Sequence, residues 1–156
     1  SLKAILMLNV LHHIPDAEKF FSECSRTLKP GGRMAVIDQY PGFIGKIIYK
    51  HLHHEPFDEF SEKWNFPSSG PLSGANGALP WIIFFRDRKK FFSLYPFLRI
   101  RRLETHTPLR YWLSGGLKSW SLMPGFLFGL FSFIDSFLIR VAPGFGSFLF
   151  VEIERE

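Results

Sequence analysis

The stretch LKAILMLN, residues 2–9, is followed by VLHHIPDAEKFFSECSRTLKPGG, residues 10–32, and by RMAVIDQY, residues 33–40. The two outer pieces contain short apolar runs, which are typical of strands buried on both faces of a parallel sheet. Between them, Pro15 and Asp16 favour the start of a helix, and Pro30 to Gly32 favour its end. Apolar residues at helical spacing predict the face that packs on the sheet: Ala17, Phe20, Phe21, Cys24 and Leu28. The stretch therefore predicts a strand, a helix and a parallel strand joined by a right-handed crossover.

Two motifs in this stretch resemble a known family. The run NVLHHIPD, Asn9 to Asp16, followed by RTLKPGG, Arg26 to Gly32, is similar to the fourth strand, next helix and fifth strand of class I S-adenosylmethionine-dependent methyltransferases of the type 11 group. The resemblance implies an α/β Rossmann-like sheet, methyltransferase activity and S-adenosyl-L-methionine as cofactor. It also implies that the last strand runs antiparallel between the fifth and sixth strands.

The family's cofactor site begins with a glycine-rich turn after the first strand, and this sequence has no such turn opening a helix. We therefore expect the chain to be a fragment, the C-terminal part of a longer methyltransferase with strands four to seven. Residues 1–156 are then a single partial domain, and the fragment alone is expected to be inactive. The apolar edge of its first strand is expected to be open to other chains, so self-association into a homo-oligomer is one expected partner interaction.

Composition narrows the class of protein and the compartment. With 46% hydrophobic and 21% charged residues, the chain fits a folded domain. The single cysteine, Cys24, lies on the apolar helix face and predicts packing in a reducing, cytoplasmic compartment. A net charge of +5 is more typical of a solvated face than of an anion-binding one, and no nucleic-acid partner is predicted. The 19 phenylalanines favour a greasy substrate pocket or a lipid-contacting surface.

Residues 43–53 read as a helix with its apolar residues on one side: Ile44, Ile47, Ile48 and Leu52. His51, His53, His54 and Glu55 follow, but their spacing lacks a metal-binding pattern, so no metal site is predicted. Residues 55–80 form a long loop or lid, with disorder most favoured over residues 68–77. Residues 79–94 predict a helix with an apolar stripe and a basic, solvent-exposed side. Residues 98–105 predict a strand with Ile100 and Leu103 on opposite faces.

An apolar helical insertion is predicted over residues 108–144, before the last strand at residues 145–154. Within it, residues 122–142 form an amphipathic helix whose narrow polar face contains Gly129, Ser132, Ser136 and Arg140. Its wide apolar face contains Phe126, Leu130, Phe133, Phe137 and Val141. That face can pack on the sheet or a partner subunit, or lie on a membrane surface as a peripheral contact. The apolar run is too short to span a bilayer, which needs about 20 residues.

The resemblance places the turn after the first predicted strand beside the cofactor. Leu8, Asn9, Val10 and His13 are accordingly the predicted cofactor-binding residues, and His13 and His12 the predicted catalytic residues. An imidazole at this turn can accept the proton of an acceptor hydroxyl, because its pKa lies near neutrality. Tyr40, Arg110 and Tyr111 are the predicted substrate-binding residues. The predicted function is methyl transfer to a small or lipid-linked acceptor at oxygen; the alternative is a non-catalytic binding or membrane-associated module that retains the fold.

Overall fold

The computed structural model describes residues 1–70, 74–116 and 119–156. It contains one four-stranded sheet of order β1-β2-β4-β3, with the strands β1 (Leu2–Leu8), β2 (Leu28–Gln39), β3 (Leu98–His106) and β4 (Phe148–Arg155). β1 and β2 are parallel, with Ile5 opposite Met34 and Leu8 opposite Ile37, while β4 runs antiparallel to both of its neighbours. The predicted crossover unit and the position of the last strand are therefore confirmed.

The helices flank this sheet and follow the chain order α1 (Ala17–Thr27), α2 (Phe43–His51), α3 (Leu79–Trp81), α4 (Arg88–Leu94), α5 (Arg110–Leu113) and α6 (Phe128–Val141). A π-helical segment, Ile82–Arg86, joins α3 to α4, so the helix predicted over residues 79–94 is present in three consecutive pieces. Short 3₁₀ turns occur at Leu11–His13, Gly125–Leu127 and Pro143–Phe145. Among the helices of the described segments, none combines the length and apolar character that spanning a bilayer requires.

The helix α1 starts and packs as its sequence predicts. Asp16 caps it, since the carboxylate Oδ1 accepts the N–H of Lys19 at 2.9 Å. Its end differs from the prediction, because β2 already begins at Leu28. The strand pairing jumps from Leu2–Leu28 to Ala4–Arg33, so the Pro-Gly-Gly segment forms a bulge within β2 instead of a separate helix stop.

The core lies where α1 meets the helical residues 79–94 over the sheet. Phe21 is fully buried, and its ring lies 5.3 Å from Phe91, 5.8 Å from Tyr95 and 6.0 Å from Phe84. Leu149, Val151 and Ile153 of β4 complete this core from the centre of the sheet. The aromatic residues of the 79–94 segment are thus used partly for ordinary packing.

Burial of β1 on both faces is contradicted. Leu6 is 81% and Leu8 65% exposed, whereas Met7 is buried. β1 is an edge strand of this sheet, and no element of the described residues covers the side on which Leu6 and Leu8 lie.

The predicted placement of Ile100 and Leu103 on opposite faces of β3 is also wrong. A register shift between Ile100 and Arg102 restarts the alternation, and both apolar residues pack against the core.

The apolar sides of α2 and α6 differ from the predictions as well. The residues of α2 that face the body of the protein are Gly45 and Tyr49, while Ile47 and Leu52 are exposed. In α6 the predicted apolar face is solvent-exposed throughout the described structure. This helix instead turns Asp135 inwards, where its carboxylate accepts the N–H groups of Leu109 and Arg110 at 3.0 and 3.3 Å. Packing of the apolar face on the sheet was therefore a wrong expectation.

Candidate functional site

The turn after β1 brings two histidines to the carboxyl ends of two parallel strands. Asn9 has a positive φ of 52°, a conformation that asparagine tolerates better than most residues, and its N–H donates to the carbonyl of Ile37 at 2.8 Å. A single 3₁₀ turn, Leu11–His13, then follows. The carboxyl edge of a parallel sheet is where α/β proteins commonly bind ligands. The histidine turn thus follows β1 directly, as the sequence predicts, and its place beside a cofactor stays a prediction.

His12 is buried and oriented by a buried carboxylate. Its Nδ1 lies 2.5 Å from Oδ1 of Asp38, the residue near the end of the neighbouring strand β2. Asp38 is itself fixed, because Oδ2 accepts the N–H of Leu11 at 2.8 Å and Oδ1 accepts the N–H of Gln39 at 2.7 Å. Burial alone would lower the pKa of His12, but the hydrogen bond and charge of Asp38 raise it above its ordinary value. The ring is thus fixed with Nε2 pointing away from Asp38.

His13 and Glu55 complete the cluster. His13 is partly buried; its Nδ1 lies 3.1 Å from the carbonyl oxygen of Gly74, and its Nε2 lies 3.3 Å from Oε1 of Glu55. The second oxygen of Glu55, Oε2, lies 3.3 Å from Nε2 of His12. Both imidazoles therefore direct Nε2 towards one carboxylate. We call His12, His13 and Glu55 the histidine–glutamate cluster.

Glu55 lies in the loop that follows α2 and collects further polar contacts. The amide of Gln39 donates to its Oε2 at 3.1 Å, and ring nitrogens of His53 and His54 lie 3.5 and 4.0 Å from the carboxylate. Although burial would raise it, the pKa of Glu55 is held below its usual value by His12 and the Gln39 hydrogen bond. Residues 55–70 and 74–78 contain no helix or extended strand, α3 already starts at Leu79, and residues 71–73 lie outside the described residues. A lid over this segment stays a prediction.

The four predicted cofactor residues lie together around this turn. Leu8, Asn9 and Val10 are exposed at the end of β1, and His13 follows them. Exposed side chains and backbone at a carboxyl edge fit one side of a bound nucleoside. These residues could contact only one side of S-adenosylmethionine, since none of the described residues forms a glycine-rich turn that opens a helix.

The predicted substrate residues are divided between places. Tyr111 is part of the site's surroundings, since burial and the nearby Glu55 carboxylate raise the pKa of its phenol, and its ring lies 4.7 Å from Phe148. Arg110 instead binds Oγ of Ser132 at 2.7 Å beside Asp135. Tyr40 packs against Phe85 at 5.0 Å and lines a separate groove of about 590 Å³ along β3. That groove contains neither histidine, so volume alone does not mark the chemical site.

Sequence reasoning missed the two carboxylates that organise the site. Asp38 follows the apolar run Met34 to Ile37, and its place after a parallel strand is the signal that could have identified it. In the sequence, Glu55 stands next to His51, His53 and His54, and this spacing gives no sign of a contact with the turn after β1. Its contacts with His12 and His13 depend on how the loop folds back over the turn, which no spacing in the sequence reveals.

Comparison with protein families matches residues 1–36 to the family described as a methyltransferase domain. The match spans 36 of the 156 residues, so it shows a similarity of this N-terminal segment to that family. The matched residues contain β1, the histidine turn, α1 and most of β2, which are also the residues of the predicted resemblance. Asp38 lies just beyond the matched methyltransferase segment.

Among solved structures, the chain is similar to a protein named as a sarcosine dimethylglycine methyltransferase from Galdieria sulphuraria. The two share 16% sequence identity with a TM-score of 0.42, and the comparison covers 99% of this chain and 53% of the other. The chain thus spans about half the length of that relative. No curated protein matches it.

Proposed function

We propose that the parent protein of this chain transfers a methyl group from S-adenosylmethionine to an oxygen atom of a small or lipid-linked acceptor. In this proposal His12 accepts the acceptor's hydroxyl proton and Asp38 orients His12. His13, with Leu8, Asn9 and Val10, lines the cofactor side. The observation that supports it most is the contact of 2.5 Å between Nδ1 of His12 and Asp38.

The geometry suits proton transfer from an acceptor to His12. When Nδ1–H donates a hydrogen bond to Asp38, Nε2 carries the lone pair and can receive the acceptor's proton. The positive charge that then develops on the ring is stabilised by the adjacent carboxylate. Glu55 Oε2, 3.3 Å from Nε2, lies where an acceptor hydroxyl would need to bind, so the acceptor would displace this contact.

The cofactor, when bound, supplies an electrophilic methyl group on a sulfonium. The residues of this chain hold the acceptor in line, remove its proton and limit access of water. Gln39 contributes to positioning, because its amide contacts both Glu55 at 3.1 Å and Nε2 of His12 at 3.4 Å. Tyr49 would help to keep water away, because its ring is buried near enough to Asp38 and Glu55 that burial, together with their charges, raises the pKa of its phenol. It stacks on the partly buried Phe57 at 5.8 Å and lies 5.4 Å from the partly buried Trp112.

A lipid-linked acceptor is favoured by the exposed face of α6. Four large apolar residues of α6 and one of the 3₁₀ turn before it are each more than half exposed: Leu130, Phe133, Phe137 and Val141 on the helix, and Phe126 in the turn. Such a patch is unusual on a solvated surface and is typical of contact with a membrane interface or a partner. We infer that this face contacts the surface on which a lipid-linked acceptor is presented.

The catalytic assignment is tested in the full-length parent protein, stripped of metal ions with a chelator. His12→Gln should lower turnover by about 10²–10⁴-fold, the usual contribution of a general base, with little change in affinity for S-adenosylmethionine. Asp38→Asn should also lower turnover, and His51→Gln, an exposed histidine on α2, is the matched control. Unchanged turnover in His12→Gln would remove His12 from the mechanism. Cofactor binding without turnover on hydroxylated acceptors would favour the non-catalytic module.

Membrane contact is tested separately by flotation with liposomes that contain anionic and neutral lipids. Phe133→Glu should reduce recovery of the protein with the vesicles, because it places a charge on the exposed face of α6. Ser136→Glu, a polar position of the same helix, is the matched control. Equal recovery of both variants, or no association of the unchanged chain, would refute this part of the proposal.

A further inference from the structure

We propose that the histidine–glutamate cluster binds a divalent first-row transition metal ion such as Zn²⁺, and that bound metal blocks the proton-accepting role of His12. The ligand atoms offered by His12, His13 and Glu55 all lie within 4.8 Å of one another. They come from two distant parts of the chain, the turn after β1 and the loop after α2. The blocking effect rests on the proposed function, whereas metal binding itself does not.

Two distances between donor atoms match those around a small metal ion. Nε2 of His12 lies 3.3 Å from Oε2 of Glu55, and Nε2 of His13 lies 3.3 Å from Oε1 of the same carboxylate, with all the donor atoms within 4.8 Å of one another. In a tetrahedral site with bonds of about 2.0–2.1 Å, neighbouring donor atoms lie roughly 3.3–3.4 Å apart. An ion therefore fits between the two rings and the carboxylate after small side-chain adjustments.

The contacts behind the two rings are those of metal-binding histidines. Nδ1 of His12 faces Asp38, and Nδ1 of His13 faces the carbonyl oxygen of Gly74. Both oxygens are acceptors, so each Nδ1 carries a proton, and Nε2, the atom that faces Glu55, is the nitrogen whose lone pair a metal ion would bind. Hydrogen bonding of this kind fixes the tautomer and orientation of imidazole ligands and increases their basicity.

A single divalent ion suits the arrangement of the cluster. It would offset the negative charge of the Glu55 carboxylate and bind one ring nitrogen from each histidine, whose ring centroids lie only 4.2 Å apart.

The donor set indicates which ions fit. Two imidazoles and one carboxylate suit Zn²⁺ and neighbouring transition metals, whereas Mg²⁺ and Ca²⁺ prefer oxygen ligands alone. Three protein ligands leave a fourth position for water or an oxygen ligand. Metal bound at Nε2 of His12 occupies the lone pair needed for the acceptor's proton, so the ion is expected to act as an inhibitor.

The test is a titration of the metal-stripped 156-residue chain with Zn²⁺ in competition with a chromogenic chelator. We expect one ion per chain with a dissociation constant in the micromolar range or below, no competition by Mg²⁺, and the visible absorption of tetrahedral Co²⁺ when cobalt is used. Glu55→Gln and His13→Gln should weaken binding at least tenfold, and Asp38→Asn about 10- to 100-fold. His51→Gln should leave the affinity unchanged.

Far-UV circular dichroism shows whether each variant is folded. Because the two ligand variants, Glu55→Gln and His13→Gln, lie in different segments, the test can still be made if one of them fails to fold. Absence of saturable Zn²⁺ binding, or equal affinity in the ligand variants and the unchanged chain, would overturn the proposed metal site. Neither result affects the proposed role of His12, which is measured as turnover in metal-free parent protein. Conversely, metal binding with unchanged His12→Gln turnover would retain the site and refute its inhibitory role.

Discussion

Replacing Phe21 by alanine should lower the free energy of unfolding strongly, whereas replacing Phe133 by alanine should change it little. Phe21 is fully buried with three aromatic neighbours from residues 79–95, whereas Phe133 on α6 is 70% exposed. Phe21→Ala removes a core side chain and leaves a cavity, which typically costs about 3–5 kcal/mol. Phe133→Ala removes the same atoms from solvent, and surface changes usually stay within about 0.5 kcal/mol.

The free energy of unfolding can be measured by urea denaturation followed by circular dichroism. At about 2–4 °C per kcal/mol for a chain of this size, Phe21→Ala should lower Tm by roughly 6–20 °C, and Phe133→Ala should leave it nearly unchanged. The comparison is informative because the chemical change is identical in both variants. A loss of stability in Phe133→Ala close to that in Phe21→Ala would refute the outward orientation of the apolar face of α6.

Three further outcomes are expected. Asp135→Ala should destabilise the chain by about 1–3 kcal/mol in the same urea assay, because the N–H groups of Leu109 and Arg110 lose their acceptor. Ser136→Ala is the control, and a stability of Asp135→Ala equal to that of the unchanged chain would contradict this role. Cys24 should react slowly with iodoacetamide at pH 8 in the folded chain and rapidly in urea, since burial raises the pKa of its thiol to about 12; rapid labelling of the folded chain would contradict its burial. The raised pKa of Cys24 also predicts a pH dependence of stability: the stabilisation from the neutral thiol is complete below the pKa of the unfolded thiol and is lost as pH rises towards about 12. The free energy of unfolding should therefore fall across alkaline pH, and it should fall less in Cys24→Ala.

The local part of the fold could be predicted because its sequence signals agree with one another. In residues 2–40, apolar runs, helical spacing and the Asp16 cap all indicate the same crossover unit, and the structure contains it. The predictions failed where an outcome depends on which neighbours are present. Leu6 and Leu8 are apolar enough for a buried strand, but their exposure depends on what lies beside β1, and the apolar face of α6 is exposed because Asp135 fixes the opposite side.

Only the part of the candidate site that lies in the turn after β1 could be predicted from the sequence, for a similar physical reason. The histidine turn could be predicted because it directly follows a parallel strand, so residues 8–13 lie at the carboxyl edge of the sheet. Glu55 reaches the turn through a loop with no periodic pattern, so its pairing with His12 and His13 is a tertiary event. Arg110 has the charge expected of a substrate-binding residue, but the nearby Asp135 and Ser132 already engage it.

The central position of β4 has a consequence for how the protein acquires its structure. β3 joins the sheet only by pairing with β4, and β4 pairs with β2 across a long sequence separation, as between Val36 and Val151. Contacts this distant along the chain form slowly, because a large loop must be ordered before they can contribute. Until residues 148–155 insert, β2 and β3 both present unpaired backbone edges, so nascent chains should depend on rapid completion or on chaperones to avoid mispairing.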